Sequence, residues 1–192
     1  MPRWFWAAAA LLLCLDVWVL GRDALFRAAV SRRMAVAHSS GLPFDIEELS
    51  RRDPVLGSAL PFAGAGRRIR AEESGNRGGY LLVALSSCTA CTRLDFGRWM
   101  RDTRASGVRL LAVSSSPPAD IAAFRTGARK GLLVYHDPDG ALHDRLNAWW
   151  NGRLYYFDQH WRLRWASSFG EADRSFSSLP GLRAAISRAS GR

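Results

Sequence analysis

The chain has 192 residues, 48% of them apolar, which is long enough for one domain with a core of ordinary size and an appendage. Lys and Arg number 27 against 17 Asp and Glu, a formal charge of +10, and Lys130 is the single lysine. A nucleic-acid face would cluster these arginines beside exposed aromatics. Here they are spread over the whole length, in pairs no longer than Arg32-Arg33, Arg51-Arg52 and Arg67-Arg68. A generally basic surface is the better reading, with attraction to anionic lipid head groups as a secondary one.

Trp4 to Leu20 is an apolar segment of 17 positions, the lower limit for spanning a bilayer, with tryptophans near both ends where interfacial rings are favoured. No small-x-small cleavage site follows, so an uncleaved transmembrane signal-anchor over residues 1–21 is expected. Asp16 lies near one end, within reach of the interface. Arg22, Arg27, Arg32 and Arg33 follow the segment, and by the positive-inside rule they would hold the C-terminal side in the cytoplasm. Cys14 inside the segment reads as a small apolar filler. Residues 22–53 read as a juxtamembrane helix and linker, broken at His38-Ser-Ser-Gly-Leu-Pro. The folded domain is expected over 54–192.

Pro54 to Phe62 is extended and turn-rich, and Gly64-Ala-Gly66 after it is expected to be a hairpin turn. As a phosphate-binding signal it is weak, because no strong strand precedes it and no helix obviously follows. Tyr80-Leu-Leu-Val-Ala-Leu is a run of strand formers that ends at Ser86-Ser87. Cys88-Thr-Ala-Cys91 comes next and should open a helix. Ser87 as N-cap would put Cys88 beside the first turn, where unpaired N–H groups and the macrodipole favour a thiolate. Cys91, about one turn on, is then the shielded partner of a small disulfide loop. Two other readings stay open: a zinc site, which would need His136 and His143 to complete it, and two inert buried cysteines.

Leu94, Phe96, Trp99 and Met100 carry that helix on to Ser106-Gly107. Val108–Val113 is a second buried strand, residues 120–126 a helix, and Gly131–His136 a third strand. Asp137-Pro-Asp-Gly140 is a turn, since proline fixes φ and glycine permits the left-handed position. A short helix over Leu142–Ala148 follows. Leu154–Phe157 and Trp161–Ala166 make a hairpin whose second strand alternates bulky apolar residues with Arg. Leu182–Ser187 closes the chain as a helix. Strands alternating with helices give an α/β sheet with an antiparallel hairpin at one end.

This order, with Cys-x-x-Cys at a helix start and Asp-Pro-Asp-Gly after the third strand, resembles the thioredoxin fold. More narrowly it resembles the membrane-anchored thioredoxin-like redoxins related to the alkyl hydroperoxide reductase/thiol-specific antioxidant group. Gly57, Pro61 and Phe62 resemble that group's Gly-x-x-x-Pro-x-Phe before an N-terminal hairpin extension, with Phe62 one position nearer the proline. The resemblance covers residues 54 to 190, and the Cys motif is its most specific part. It implies a tethered thiol:disulfide oxidoreductase on the extracytoplasmic, periplasmic side, in conflict with the charge distribution around Trp4–Leu20. Cys88 and Cys91 would be catalytic, with no metal and no organic cofactor. Its partners would be protein thiols and disulfides together with an upstream electron donor or acceptor.

Three departures from the group are visible. Ser87 replaces the usual Trp, and Thr89-Ala90 replaces Gly-Pro, both of which bear on the redox potential. The group also places a cis-proline opposite the Cys pair, just before the strand that here is Leu154–Phe157. That place falls at Gly152, within Trp149-Trp-Asn-Gly-Arg, and glycine does not enforce a cis peptide. Substrate would dock along Gly152, with Trp149 and Trp150 as an aromatic wall; core packing or burial at a helix end is the alternative for the two tryptophans. His136 and His143 would be proton shuttles or, more in keeping with their place on the far strand and helix, surface or structural residues. Rival functions are a thioredoxin-fold copper-binding or assembly module without turnover, and a peroxiredoxin-like peroxidase. The first normally uses Cys-x-x-x-Cys with a later His. The second uses Thr-x-x-Cys preceded by proline, and Val83-Ala-Leu-Ser-Ser-Cys88 lacks both features.

Overall fold

The strand at the centre of the molecule is β1, Tyr80–Leu85, and all six of its residues are buried. A strand covered on both faces has no reason to alternate, which is why its sequence is an unbroken apolar run. A computed structural model describes residues 50–85, 94–126, 129–148, 152–168 and 176–189. Among these, β1 lies third in a five-stranded sheet of order β3-β2-β1-β4-β5. The other strands are β2 (Arg109–Ser114), β3 (Leu133–His136), β4 (Arg153–Phe157) and β5 (Leu163–Ala166). On one side β1 pairs in parallel with β2, from Tyr80↔Arg109 to Leu85↔Ser114. On the other it pairs antiparallel with β4, from Tyr80↔Phe157 to Ala84↔Arg153.

Helices cover both faces. Leu81, Val83 and Leu85 point to a layer built from α2 (Phe96–Ala105), α3 (Pro118–Phe124) and α5 (Pro180–Ala189), which contribute Phe96, Trp99, Phe124, Leu182 and Ile186. Tyr80, Leu82 and Ala84 point the other way, onto Ile69 of α1 (Ala65–Glu72) and onto Leu142 and Leu146 of α4 (Ala141–Leu146). The expected α/β sheet with a hairpin at one end is therefore present. The β4–β5 turn is held by Asp158, which accepts from the N–H groups of His160 (2.9 Å) and Arg162 (3.0 Å) and from Arg164 Nε (2.7 Å). Trp161, at φ 60°, stacks its ring on Tyr80 at 3.9 Å.

Three expectations are corrected. Among the described residues no hairpin precedes β1: Gly64-Ala-Gly66 leads into α1, and residues 50–63 make one isolated antiparallel bridge, Ala59↔Arg162. Both glycines serve close packing. A Cβ on Gly64, which sits at φ 49°, would meet Asp137 Oδ1 at 2.0 Å, and one on Gly66 would meet the Pro61 carbonyl at 2.1 Å. Secondly, α2 does not run back through Leu94. It starts at Phe96, where Asp95 caps it by accepting from the Arg98 N–H at 3.0 Å. Thirdly, His143 is not remote from β1 but wholly buried beside its end. Among the described residues no helix is long and apolar enough to cross a membrane, and Trp4–Leu20 lies outside them.

Candidate functional site

The register puts the carboxyl ends of β1, β2 and β3 side by side, since Leu85 pairs with Ser114 and Ser114 with His136. The amino end of β4 joins them, with Arg153 opposite Ala84. In an open α/β sheet this is the edge where ligands bind, because strands end there and loops of free sequence begin. Two segments rooted at this edge carry the motifs picked out in the sequence. Residues 86–93, with Cys88 and Cys91, leave from Leu85; residues 149–151, with Trp149 and Trp150, lead into Gly152. Cys88, Cys91, Trp149 and Trp150 lie outside the described residues. Gly152 lies inside them, and the structure shows how both roots are held.

The root of the Cys segment is held by a buried polar pair. His143 Nδ1 lies 2.8 Å from Asp137 Oδ2, and its Nε2 lies 3.0 Å from the carbonyl oxygen of Leu85, the last residue of β1. Both side chains are fully buried. Asp137 also accepts from the N–H groups of Ala65 (3.1 Å), Leu142 (3.1 Å) and His143 (3.1 Å), so one carboxylate caps α1 and α4 together. Burial alone would push this carboxyl up. The hydrogen bonds from the His143 ring and from the Ala65 N–H, with the His143 charge, outweigh it and hold the group below the ordinary carboxylate range. Nearby, Ser115 Oγ is buried just past β2 and has no hydrogen-bond partner among the described residues.

The root of β4 is held by a second pair. Gly152, at φ 80°, donates its N–H to the Ala84 carbonyl at 2.8 Å. That bond ties the place expected for a cis-proline directly to β1, one residue before β1 ends. No cis peptide bond occurs among the described residues. Arg153, next in the chain, is 2% exposed and is engaged by both carboxylate oxygens of Asp53, one of them at 2.6 Å from Nη1. It also donates to the carbonyls of Asn147 (2.9 Å) and Ser167 (3.2 Å). Asn147 Nδ2 completes the cluster by donating to Asp53 Oδ1 at 2.7 Å. The buried guanidinium is thus neutralised and its donors are used, as burial of a charge requires.

Of the site residues read from sequence, Gly152 is therefore brought to the end of β1, while the other four cannot be placed against it. Asp137, Asp53 and Arg153 were missed. Asp137 had a local signal, an Asp in a turn just ahead of a short helix. Asp53 and Arg153 had none, being one hundred positions apart. His136 ends β3 and is half-buried. Among the described residues no group of three or more His, Cys, Asp or Glu side chains is placed to hold a metal ion.

No family model matches the sequence, and no curated protein matches it. Solved structures do. The chain is similar to a domain of a possible thiol-disulfide isomerase from Cytophaga hutchinsonii, at 14% identity over 71% of this chain and 96% of that one, with a TM-score of 0.50. It is also similar to AhpC of Mycobacterium tuberculosis, at 13% identity over 73% and 96% of the two chains, with a TM-score of 0.50. AhpC of Mycobacterium bovis gives 13% identity over 73% and 95%, again with a TM-score of 0.50. These neighbours are thioredoxin-fold redoxins, and the chain shares their fold.

Proposed function

We propose that the chain is a thiol:disulfide oxidoreductase working through Cys88 and Cys91. The observation that carries the reading is positional. On a sheet of redoxin topology, Cys-x-x-Cys begins in sequence three residues beyond the carboxyl end of β1, the strand to which the β4 root at Gly152 is bonded. An exchange site needs two thiols within bonding range, one of them ionised near neutrality, and an adjoining strand edge for substrate backbone.

In the forward direction Cys88 Sγ, as thiolate, attacks one sulfur of a partner's disulfide. The bond between the partner's sulfurs breaks, the Cys88–partner mixed disulfide forms, and the partner's other sulfur leaves as thiolate and takes a proton from water. Cys91 then loses its proton and attacks Cys88 Sγ, which releases the partner's second thiol and leaves Cys88–Cys91 oxidised. Two electrons have passed to the partner, and a dithiol donor must return them. Run backwards, the same steps oxidise a partner. Neither direction calls for a metal or an organic cofactor. Substrate would lie along Gly152 with Trp149 and Trp150 beside it. Trp4–Leu20 would tether the domain to a membrane, with the redox domain on the extracytoplasmic side.

Insulin reduction by the full chain in detergent, with dithiothreitol as donor, tests this. Turnover that is lost in Cys88→Ser supports it. Stoichiometric copper(I) binding without insulin turnover would replace it with a binding module, and peroxide consumption without insulin turnover would replace it with a peroxidase.

A further inference from the structure

We infer that the turn at residues 55–58, together with Phe62, is a docking face for an anionic lipid bilayer. Val55 (77% exposed), Leu56 (63%) and Phe62 (62%) are the large apolar side chains that the described residues leave in water. Exposed apolar residues are ordinary when scattered singly, but these three fall within eight positions of one loop. The loop is firmly held. The Ser58 N–H closes the turn onto the Val55 carbonyl at 3.0 Å, and Gly57, at φ 88°, supplies its left-handed position. The Gly57 N–H donates to the Leu163 carbonyl at 2.7 Å and the Leu163 N–H to the Ser58 carbonyl at 2.8 Å, which fastens the turn to β5. Further on, Leu60 is buried, and Phe62 lies under Arg70 with the guanidinium carbon 4.0 Å from the ring centre.

The charge around this loop has one sign. Between residues 50 and 70 there are five arginines and one acid, Asp53. Asp53 is engaged by Arg153, and Arg68 is paired with Glu72. Arg51, Arg52 and Arg67 are exposed, and so is Arg162, whose Nη1 donates to the Gly57 carbonyl at 3.4 Å. Arg51 and Arg52 precede Val55 by four and three positions, so their backbones lie within about 14 Å of it. An occupant of this face must accept bare aliphatic side chains and carry negative charge. A stable protein partner would cover roughly 800 Å². Two side chains at the tip of a turn, with one ring beyond them, fall well short of that. A bilayer needs no matching shape: the apolar side chains enter below the head groups while the guanidinium groups stay level with the phosphates.

The test uses the full chain with Cys14, Cys88 and Cys91 replaced by Ser, so its outcome does not depend on thiol chemistry. A nitroxide is attached at Leu56→Cys or, as a control, at Ala122→Cys, an exposed position of α3. Collision with oxygen, which concentrates in lipid, is compared with collision with a water-soluble nickel chelate. On vesicles of mixed phosphatidylcholine and phosphatidylglycerol, the oxygen-to-nickel ratio at 56 is expected to exceed that at 122 by about threefold or more. It is expected to fall towards the control on phosphatidylcholine alone and in high salt. The label reports contact by the domain itself, whether or not Trp4–Leu20 enters the bilayer. A ratio at 56 no higher than at 122, or equally high on phosphatidylcholine alone, overturns the inference. A label at 56 cut off from both quenchers would place protein against the turn and overturn it as well. Should the cysteine-free chain not fold, amide exchange in the unaltered chain decides. Residues 54–63 are then expected to exchange at least about threefold more slowly on the anionic vesicles than on phosphatidylcholine, and equal rates overturn the inference.

Discussion

Asp53 and Arg153 lie one hundred residues apart and meet as a two-pronged pair, with Arg153 almost wholly buried and Asp53 at the margin of solvent. The asymmetry of exposure sets an asymmetry of consequences. Asp53→Ala strands a buried guanidinium and is expected to cost about 3 kcal/mol, the usual result of removing one partner from a buried pair. Arg153→Met strands only a carboxylate that can turn to water, so it should cost clearly less. Urea denaturation of the two variants checks the order. Equal losses, or a larger loss for Arg153→Met, would show that the pair is not what anchors the start of β4.

The sequence resemblance puts Gly152 where a redoxin would have its cis-proline, yet proline is expected to be poorly tolerated there. Its φ of 80° is far from the value near −65° that proline imposes, and its N–H is bonded to Ala84. Gly152→Pro should lower stability by about 3 kcal/mol. Gly152→Ala keeps the N–H and carries the strain of positive φ, about 1–2 kcal/mol. Equilibrium unfolding gives the comparison. A proline variant as stable as wild type would mean that this root can adopt the family's backbone after all.

The sheet was largely legible in sequence. β1, β2 and the β4–β5 hairpin show as apolar or alternating runs, and Ser106-Gly107 marks the end of α2, with Gly107 at φ 73°. α1 was not legible, since two glycines and three arginines argue locally for a turn. What makes it a helix is the burial of Ile69 and a carboxylate 72 residues away that receives the Ala65 N–H. No sequence window contains that partner. The same holds for His143, whose bond to Leu85 spans 58 residues. The thiol pair itself was read from spacing alone, and the framework now visible is what surrounds its two roots rather than the sulfurs.

Acid should weaken the fold through Asp137 and Asp158. Asp158 is likewise held below the ordinary carboxylate range: burial would raise it, but bonds from the Arg162 N–H, the Arg164 side chain and the His160 N–H outweigh that. With both folded-state values depressed, the native protein binds fewer protons than the unfolded chain. Their stabilisation is complete above the ordinary carboxylate value near 4 and is lost as pH falls below it. The urea midpoint is expected to be flat from pH 7 to 5 and to drop towards pH 3. Asp158→Asn keeps an acceptor for the turn but not the charge, so its drop between pH 5 and 3 should be shallower. An identical pH profile in that variant would remove Asp158 from the account.

The roles assigned to the two cysteines are separable because only one of them leaves a stable intermediate when its partner is missing. In a Cys14→Ser background, Cys91→Ser retains the attacking thiolate but has nothing to resolve the mixed disulfide. It should therefore accumulate a one-to-one covalent adduct with a disulfide-bearing substrate, visible on a non-reducing gel and released by dithiothreitol. Cys88→Ser should give at most a tenth as much, since in the proposed exchange Cys91 is the shielded, resolving thiol and Cys88 the ionised one. The reverse pattern would exchange the two roles and place the reactive thiol one turn further on. Adducts from neither variant, with both folded, would leave the chain without exchange chemistry.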